Sequence, residues 1–267
     1  MEGLQGNFIY INIPLYQVQY KKWKKYGYSK TDERENTKEV LIKASDGYCM
    51  YCYTRIKVDN KLFGNLEHAI EKKISDKLIE CIPNIGIVCP MCNQSFKRIG
   101  ERKREVTDLV RKEFEEKSRC SAIKRKQCRI PCKPLRDLQS KYNKMPGGEI
   151  ILQPMGVVGE QSGENMALQY DIMKMEFQPN TNLHTYSREE ISFINKHILR
   201  FRLNDPIYKT HQLADYIRNV IDSGGVLQKY EYNNLIVKLF ADKLEEKTAE
   251  EKVDICSKIY TMIFMRL

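Results

Sequence analysis

Apolar and polar positions first organise themselves at Phe8-Ile9-Tyr10-Ile11-Asn12-Ile13, a run that predicts an edge strand ending at Pro14, which has no N–H for a ladder. From Asp32 to Ser45 charged residues alternate with Val40, Leu41 and Ile42, the pattern of one helix leading into a cysteine pair. Leu66-Glu67-His68-Ala69-Ile70 alternates with period two and predicts a short strand, and the apolar Ile85 to Val88 predicts a second. Lys97 to Arg136 is strongly charged and largely free of Pro and Gly, so it predicts helix until Pro131 and Pro134 stop it.

Met145-Pro146-Gly147-Gly148 breaks helix and strand alike and marks a boundary. Beyond it, Glu149 to Leu152 and Met166 to Tyr170 predict short strands around a Gly-rich turn region from Gly156 to Gly163. Ser187-Arg188-Glu189-Glu190 has the form of a capping box, and Ile191, Ile194, Ile198 and Phe201 follow at helical spacing. Leu213 to Ile221 repeats that logic up to Gly224-Gly225, and Leu235, Leu239, Leu244, Val253, Ile259 and Ile263 predict further helix. The expectation is an α+β chain in four stretches: an N-terminal arm and helix (1–45), a small core (46–100), a basic helical connector (101–145) and a mainly helical C-terminal unit (146–267), suited to binding a partner. No internal repeat or low-complexity tract interrupts it.

Charge narrows the partners. Lys plus Arg number 45 against 35 Asp plus Glu in 267 residues, a net +10 that favours a polyanion, nucleic acid before an anionic membrane surface. No apolar run approaches the ~20 residues of a membrane span, and no basic-then-apolar leader opens the chain, so a cytoplasmic protein is expected. Lys124-Arg125-Lys126 continues to Lys133 without an acidic residue, which fits either nucleic-acid contact or a solvated face. At Lys21-Lys22-Trp23-Lys24-Lys25, a solvated face with Trp23 tucked into the core is preferred over Trp23 stacking on a base.

The chain has nine cysteines. In a reducing compartment these point to metal ligation plus buried thiols rather than to disulfides. Cys49-x-x-Cys52 and Cys89-x-x-Cys92 each hold two thiolates about one tetrahedral edge apart and together predict a structural zinc site; four thiolates leave zinc no open position for catalysis. Cys81 and Cys256 read as buried thiols. Cys120, Cys128 and Cys132 lack a fourth ligand of suitable spacing, and His184, His197 and His211 read as helix-lining or capping residues.

The loop between the cysteine pairs is longer than a compact zinc ribbon needs, and it holds Glu67, His68 and Asn84. An acid-His dipeptide on a strand, an Asn opening a second strand, then a C-x-x-C with Asn93 at the start of a helix resembles the ββα-metal motif of HNH endonucleases in its zinc-stapled form. Glu67-His68 matches the first His element, Asn84 the central Asn and Cys92-Asn93 the final Cys-Asn. Tyr51 inside the first pair, Lys72 after His68 and the basic residues after Asn93 also fit. The chain departs from the family pattern where a Pro usually follows the His, here Glu71, and where a Lys usually follows the final Asn, here Phe96 with Lys97 next.

The resemblance implies a metal-dependent endonuclease that hydrolyses phosphodiester bonds in DNA, most readily double-stranded. His68 would be the general base, an Mg²⁺ or Mn²⁺ ion would sit on Glu67 and Asn93, and Asn84 would brace the loop. Lys72, Lys97, Arg98, Lys124, Arg125 and Lys126 would meet phosphate. The overall layout more loosely resembles the HNH subunits of bacterial anti-phage systems such as Septu and its retron-linked relatives, which implies an ABC/SMC-like ATPase partner. The alternative is a zinc-stapled nucleic-acid-binding or adaptor subunit without catalysis, which has no need of His68 or Asn93.

Overall fold

Strand β1 (Tyr10–Asn12) precedes helix α1 (Thr31–Ala44), whose first turn carries Asp32 and Glu33, negative charge where helix N–H groups are unpaired. This is a computed structural model, and it describes residues 8–118, 128–208, 211–226 and 232–264. Thr37 and Leu41 form the buried face of α1, and the Thr37 hydroxyl takes the Gly27 N–H at 2.9 Å. The helix stops where Asp46 (φ 52°) and Gly47 (φ 78°) turn left-handed, and the Gly47 N–H closes on the Ile42 carbonyl at 2.9 Å. That stop delivers Cys49.

Two antiparallel pairs follow, β2 (Lys57–Val58) with β3 (Lys61–Leu62), and β4 (Asn65–His68) with β5 (Ile85–Val88) in the register Asn65↔Val88 and His68↔Ile85. Gly86 lets β5 lie against residue 153, because a Cβ there would stand 2.9 Å from the Gln153 carbonyl oxygen. After Cys89 the chain makes only a short helical turn of π type, Cys92–Phe96.

The long helix expected from Lys97 onward is replaced by α2 (Asp108–Lys117), capped by the Thr107 hydroxyl, and α3 (Lys133–Asn143). Pro134 starts α3 rather than stopping a helix, since the first turn has no intrahelical use for its missing N–H.

Strands β6 (Leu168–Asp171) and β7 (Glu176–Pro179) then pair, and β1 adds to the free side of β6 with Ile11 opposite Tyr170, giving a three-stranded sheet in the order β1-β6-β7. Helix α4 (Arg188–Arg200) opens with the expected capping box between Ser187 and Glu190. Helices α5 (Gln212–Asp222), α6 (Leu235–Leu244) and α7 (Ala249–Phe264) complete the described chain.

The stretch from Glu149 to Leu152, expected as a strand, is irregular although Ile150, Ile151 and Leu152 are buried. A side chain takes the place of a ladder partner: the Ile151 N–H donates to His197 Nδ1 at 3.0 Å. Trp23 is 80 % exposed, so it is not tucked into the core. One cluster of buried apolar side chains runs from Phe8 through Ile87, Leu138 and Phe201 to Ile259, so residues on both sides of the Met145–Gly148 turn share it. Cys81 and Cys256 are buried within it. Among the described residues no helix is long and apolar enough to cross a membrane.

Candidate functional site

Cys49 and Cys52 lie on the turn that leaves α1, and Cys89 and Cys92 on the turn that leaves β5. Their four Sγ atoms all lie within 4.8 Å of one another, with Cys52 and Cys89 at 3.6 Å. Zn–S bonds of about 2.3 Å in a tetrahedron put sulfurs about 3.8 Å apart, so this donor set fits zinc. Local bonds shape each turn: Cys49 N–H to the Thr54 carbonyl (2.8 Å), Tyr53 N–H to the Cys49 carbonyl (3.0 Å) and Asn93 N–H to the Cys89 carbonyl (3.1 Å). Met50 N–H reaches the Ile87 carbonyl at 3.2 Å and ties the first turn to β5. Hydrogen bonds from Cys49 and its two neighbours push the Cys89 thiol down toward thiolate, while burial pushes Cys49 up. Among the described residues this is the one group of three or more His, Cys, Asp or Glu side chains close enough to share an ion.

His68 ends β4 and is 7 % exposed. Its Nε2 lies 3.0 Å from the Ile79 carbonyl oxygen. A carbonyl only accepts, so Nε2 carries the proton and Nδ1 the lone pair. Burial holds the imidazole below its ordinary value, outweighing the Ile79 bond, with Lys72 adding to the depression and Glu80 opposing it. Tyr28 covers the ring at a centroid distance of 4.4 Å, and Lys72 in turn lies over Tyr28, its Nζ 4.7 Å from that ring's centroid. Glu80 fixes this lid by accepting the Tyr28 and Ser29 N–H groups at 2.8 and 3.0 Å. Just beyond His68, the Asn84 amide accepts from Ile70 N–H and donates to Ile70 C=O, both at 2.8 Å, which pins the chain leaving β4 to the chain entering β5.

Glu67 does not stand open for a hard ion. Its Oε1 accepts from the Lys97 ammonium, and its Oε2 accepts from Tyr51 OH at 3.4 Å. Lys97, expected to reach phosphate, is 4 % exposed and also donates to the His68 carbonyl oxygen. Burial and then the Arg104 guanidinium push this lysine well below its ordinary value. The Asn93 side chain is half-buried and has no hydrogen-bond partner among the described residues, so no hydrogen bond joins it to Glu67, His68 or Asn84. A carboxylate already neutralised by a buried ammonium does not fit an Mg²⁺ or Mn²⁺ site.

The two departures from the family pattern have structural employment. Glu71 Oε1 accepts from Arg104 Nη2 (3.0 Å) and from Tyr142 OH (2.8 Å). Arg104, 1 % exposed, also donates to the Lys97, Ile99 and Gly147 carbonyls at 2.7 to 3.1 Å, binding the turn after Cys92 to the end of α3. Phe96 is buried edge-on against Tyr208 at 5.1 Å, with the Arg202 guanidinium 5.7 Å from its ring centroid.

Of the remaining cations, Lys72 and Arg98 are exposed, while Lys124, Arg125 and Lys126, with Cys120, lie outside the described residues. Tyr28, Glu80 and Arg104 carried no signal as partners of the site, because each meets it only through the tertiary fold. Neither family models nor curated proteins nor solved structures match this chain.

Proposed function

We propose that the chain is an HNH-type endonuclease that hydrolyses phosphodiester bonds in double-stranded DNA, with His68 as general base. The observation that carries this reading is the imidazole itself: its Nε2–H is spent on the Ile79 carbonyl, which leaves a basic Nδ1 at the end of a strand pinned by Asn84 and paired with the strand that leads into the second cysteine pair. Burial keeps the ring neutral near pH 7, the state a base requires. His68 takes a proton from water as the water oxygen attacks phosphorus. The P–O bond to the leaving alcohol breaks, and that oxygen is protonated from solvent. Lys72 and Arg98, both exposed, supply positive charge for the anionic strand in this reading. No step is assigned to a divalent ion, because Lys97 holds Glu67. Substrate must move Tyr28 aside. The anti-phage setting and an ABC/SMC-like ATPase partner belong to the same proposal, and copurification with such an ATPase tests them.

A second reading, a zinc-stapled nucleic-acid-binding or adaptor subunit, is favoured by the Tyr28 lid and the Lys97–Glu67 pair, which close the two groups a nuclease would use. Incubation of the purified protein with supercoiled plasmid separates the readings, with Mg²⁺, Mn²⁺ or chelator present and with the ATPase partner present or absent. Nicking that disappears in His68→Ala supports the nuclease. Folded, zinc-loaded protein that binds plasmid without nicking it in any condition supports the adaptor.

A further inference from the structure

Trp23 is the one tryptophan of the chain, and it is 80 % exposed. It stands in a tight turn that the Lys24 N–H closes on the Lys21 carbonyl at 3.2 Å. Both flanks of the turn are anchored. The Lys21 N–H donates to the hydroxyl of buried Tyr26 at 2.9 Å. Helix α1 holds the other flank, with Asn36 Nδ2 donating to the Lys25 carbonyl at 3.0 Å and Lys24 Nζ meeting Glu39 at 2.6 Å. The indole is therefore held out in water by a fixed piece of backbone.

Positive charge converges on that ring. Lys21 Nζ lies 5.9 Å from its centroid. Lys22 and Lys25 are exposed and form no ion pair among the described residues. Arg129, far along the chain, donates from Nη2 to the Lys22 carbonyl at 2.9 Å and brings a guanidinium to the same turn. No acidic residue occurs from Gly3 to Thr31.

An exposed tryptophan forgoes the burial that its size rewards, so the ring is set out for a partner, and the lysines make that partner anionic. A duplex would satisfy the lysines but keeps its bases stacked inside, away from the ring. An anionic bilayer would need apolar area adjoining the indole, and the residues flanking it in the turn are lysines. An unpaired strand uses both features at once, since every base offers a π-face to the ring and every phosphate a charge to the ammonium groups.

We propose that the Lys21–Lys25 turn binds single-stranded DNA, with Trp23 stacking on an unpaired base and Lys21, Lys22 and Lys25 meeting the phosphates around it. No group in this contact calls on a 2′-hydroxyl. The site goes beyond the double-stranded substrate of the nuclease reading and serves the adaptor reading equally. The same arm carries Tyr28 over His68, so a strand held here is held by the segment that covers the imidazole.

Because Trp23 is the sole tryptophan, the intrinsic fluorescence of the full chain reports on this ring without a label. A thymidine oligonucleotide should quench it saturably and bind at least about ten-fold more tightly than a duplex of the same length. Trp23→Ala, followed by anisotropy of a labelled oligonucleotide, should bind about five- to hundred-fold more weakly, while Trp23→Tyr keeps most of the affinity. The triple variant Lys21→Gln, Lys22→Gln, Lys25→Gln should reduce the slope of log affinity against log salt by about 2. Since the ring is exposed, Trp23→Ala should melt at the parent's temperature, which separates lost contact from lost fold. No quenching, equal or tighter duplex binding, or full affinity in Trp23→Ala overturns the proposal. So does binding of a uridine ribo-oligonucleotide without the thymidine one, or an indole that responds to phosphatidylserine vesicles and not to the oligonucleotide. Plasmid nicking that persists beside any of these leaves the nuclease reading standing, and oligonucleotide binding without nicking leaves this site standing.

Discussion

Lys97 donates from one buried ammonium to both the Glu67 carboxylate and the His68 carbonyl, so the turn after the second cysteine pair grips the acid-His dipeptide of β4 directly. The grip removes from solvent the carboxylate that would otherwise be free for an ion.

Breaking this pair should be expensive and removing it whole should not. Lys97→Met leaves a buried carboxylate uncompensated and is expected to lower stability by about 3–5 kcal/mol, whereas Glu67→Gln combined with Lys97→Met should lose much less. Urea unfolding of the single and double variants measures the difference. A single variant as stable as the parent would show that the pair is not formed.

Arg104 is the second tie. It joins Glu71, three carbonyls and the end of α3 with a planar fork that lysine cannot copy. Arg104→Lys should cost roughly 2–3 kcal/mol despite keeping the charge. The same unfolding experiment reads it, and a loss below about 0.5 kcal/mol would mean the fork contributes little.

Metal content is directly measurable. Purified protein should carry one zinc per four-cysteine cluster, Cys92→Ser should lose it, and a strong chelator should lower the melting temperature of the parent but not of the variant. Elemental analysis alongside a thermal scan decides this. Metal-free protein with an unchanged scan would refute a structural zinc.

Acid should destabilise the fold through His197. Burial pushes this imidazole down to about 3 from its ordinary value of 6.5, so the unfolded chain binds the proton more readily. Stability from His197 is therefore full above about pH 6.5 and falls as pH drops toward about 3, by up to about 1.4 kcal/mol per pH unit. His197→Gln should cost stability at neutral pH, where Ile151 N–H loses its acceptor, and flatten that part of the acid slope. An unchanged slope in denaturant titrations from pH 7 to pH 4 would assign the acid sensitivity elsewhere.

By itself the sequence determined what depends on neighbours along the chain. The C-x-x-C spacing brings each pair of sulfurs together, the Ser187-to-Glu190 box starts α4, and alternation along Leu66 to Ile70 makes a strand with His68 at its end, because each is satisfied within a few residues. Trp23, Lys97 and residues 149–152 depart from expectation for the converse reason. Composition says that a tryptophan seeks burial and a lysine seeks water, but Trp23 finds no pocket and Lys97 finds a carboxylate. Ile151 finds a histidine in place of a strand.

Only the tertiary structure decided what surrounds the site. Tyr28 reaches His68 from the arm, Arg104 fastens Glu71 from the basic stretch, and Tyr51 between the first two cysteines stacks at 4.4 Å on Phe201 of the C-terminal helices. Those contacts join residues far apart in the chain. No local periodicity encodes them, because they form only when the buried surfaces of separate elements close on one another.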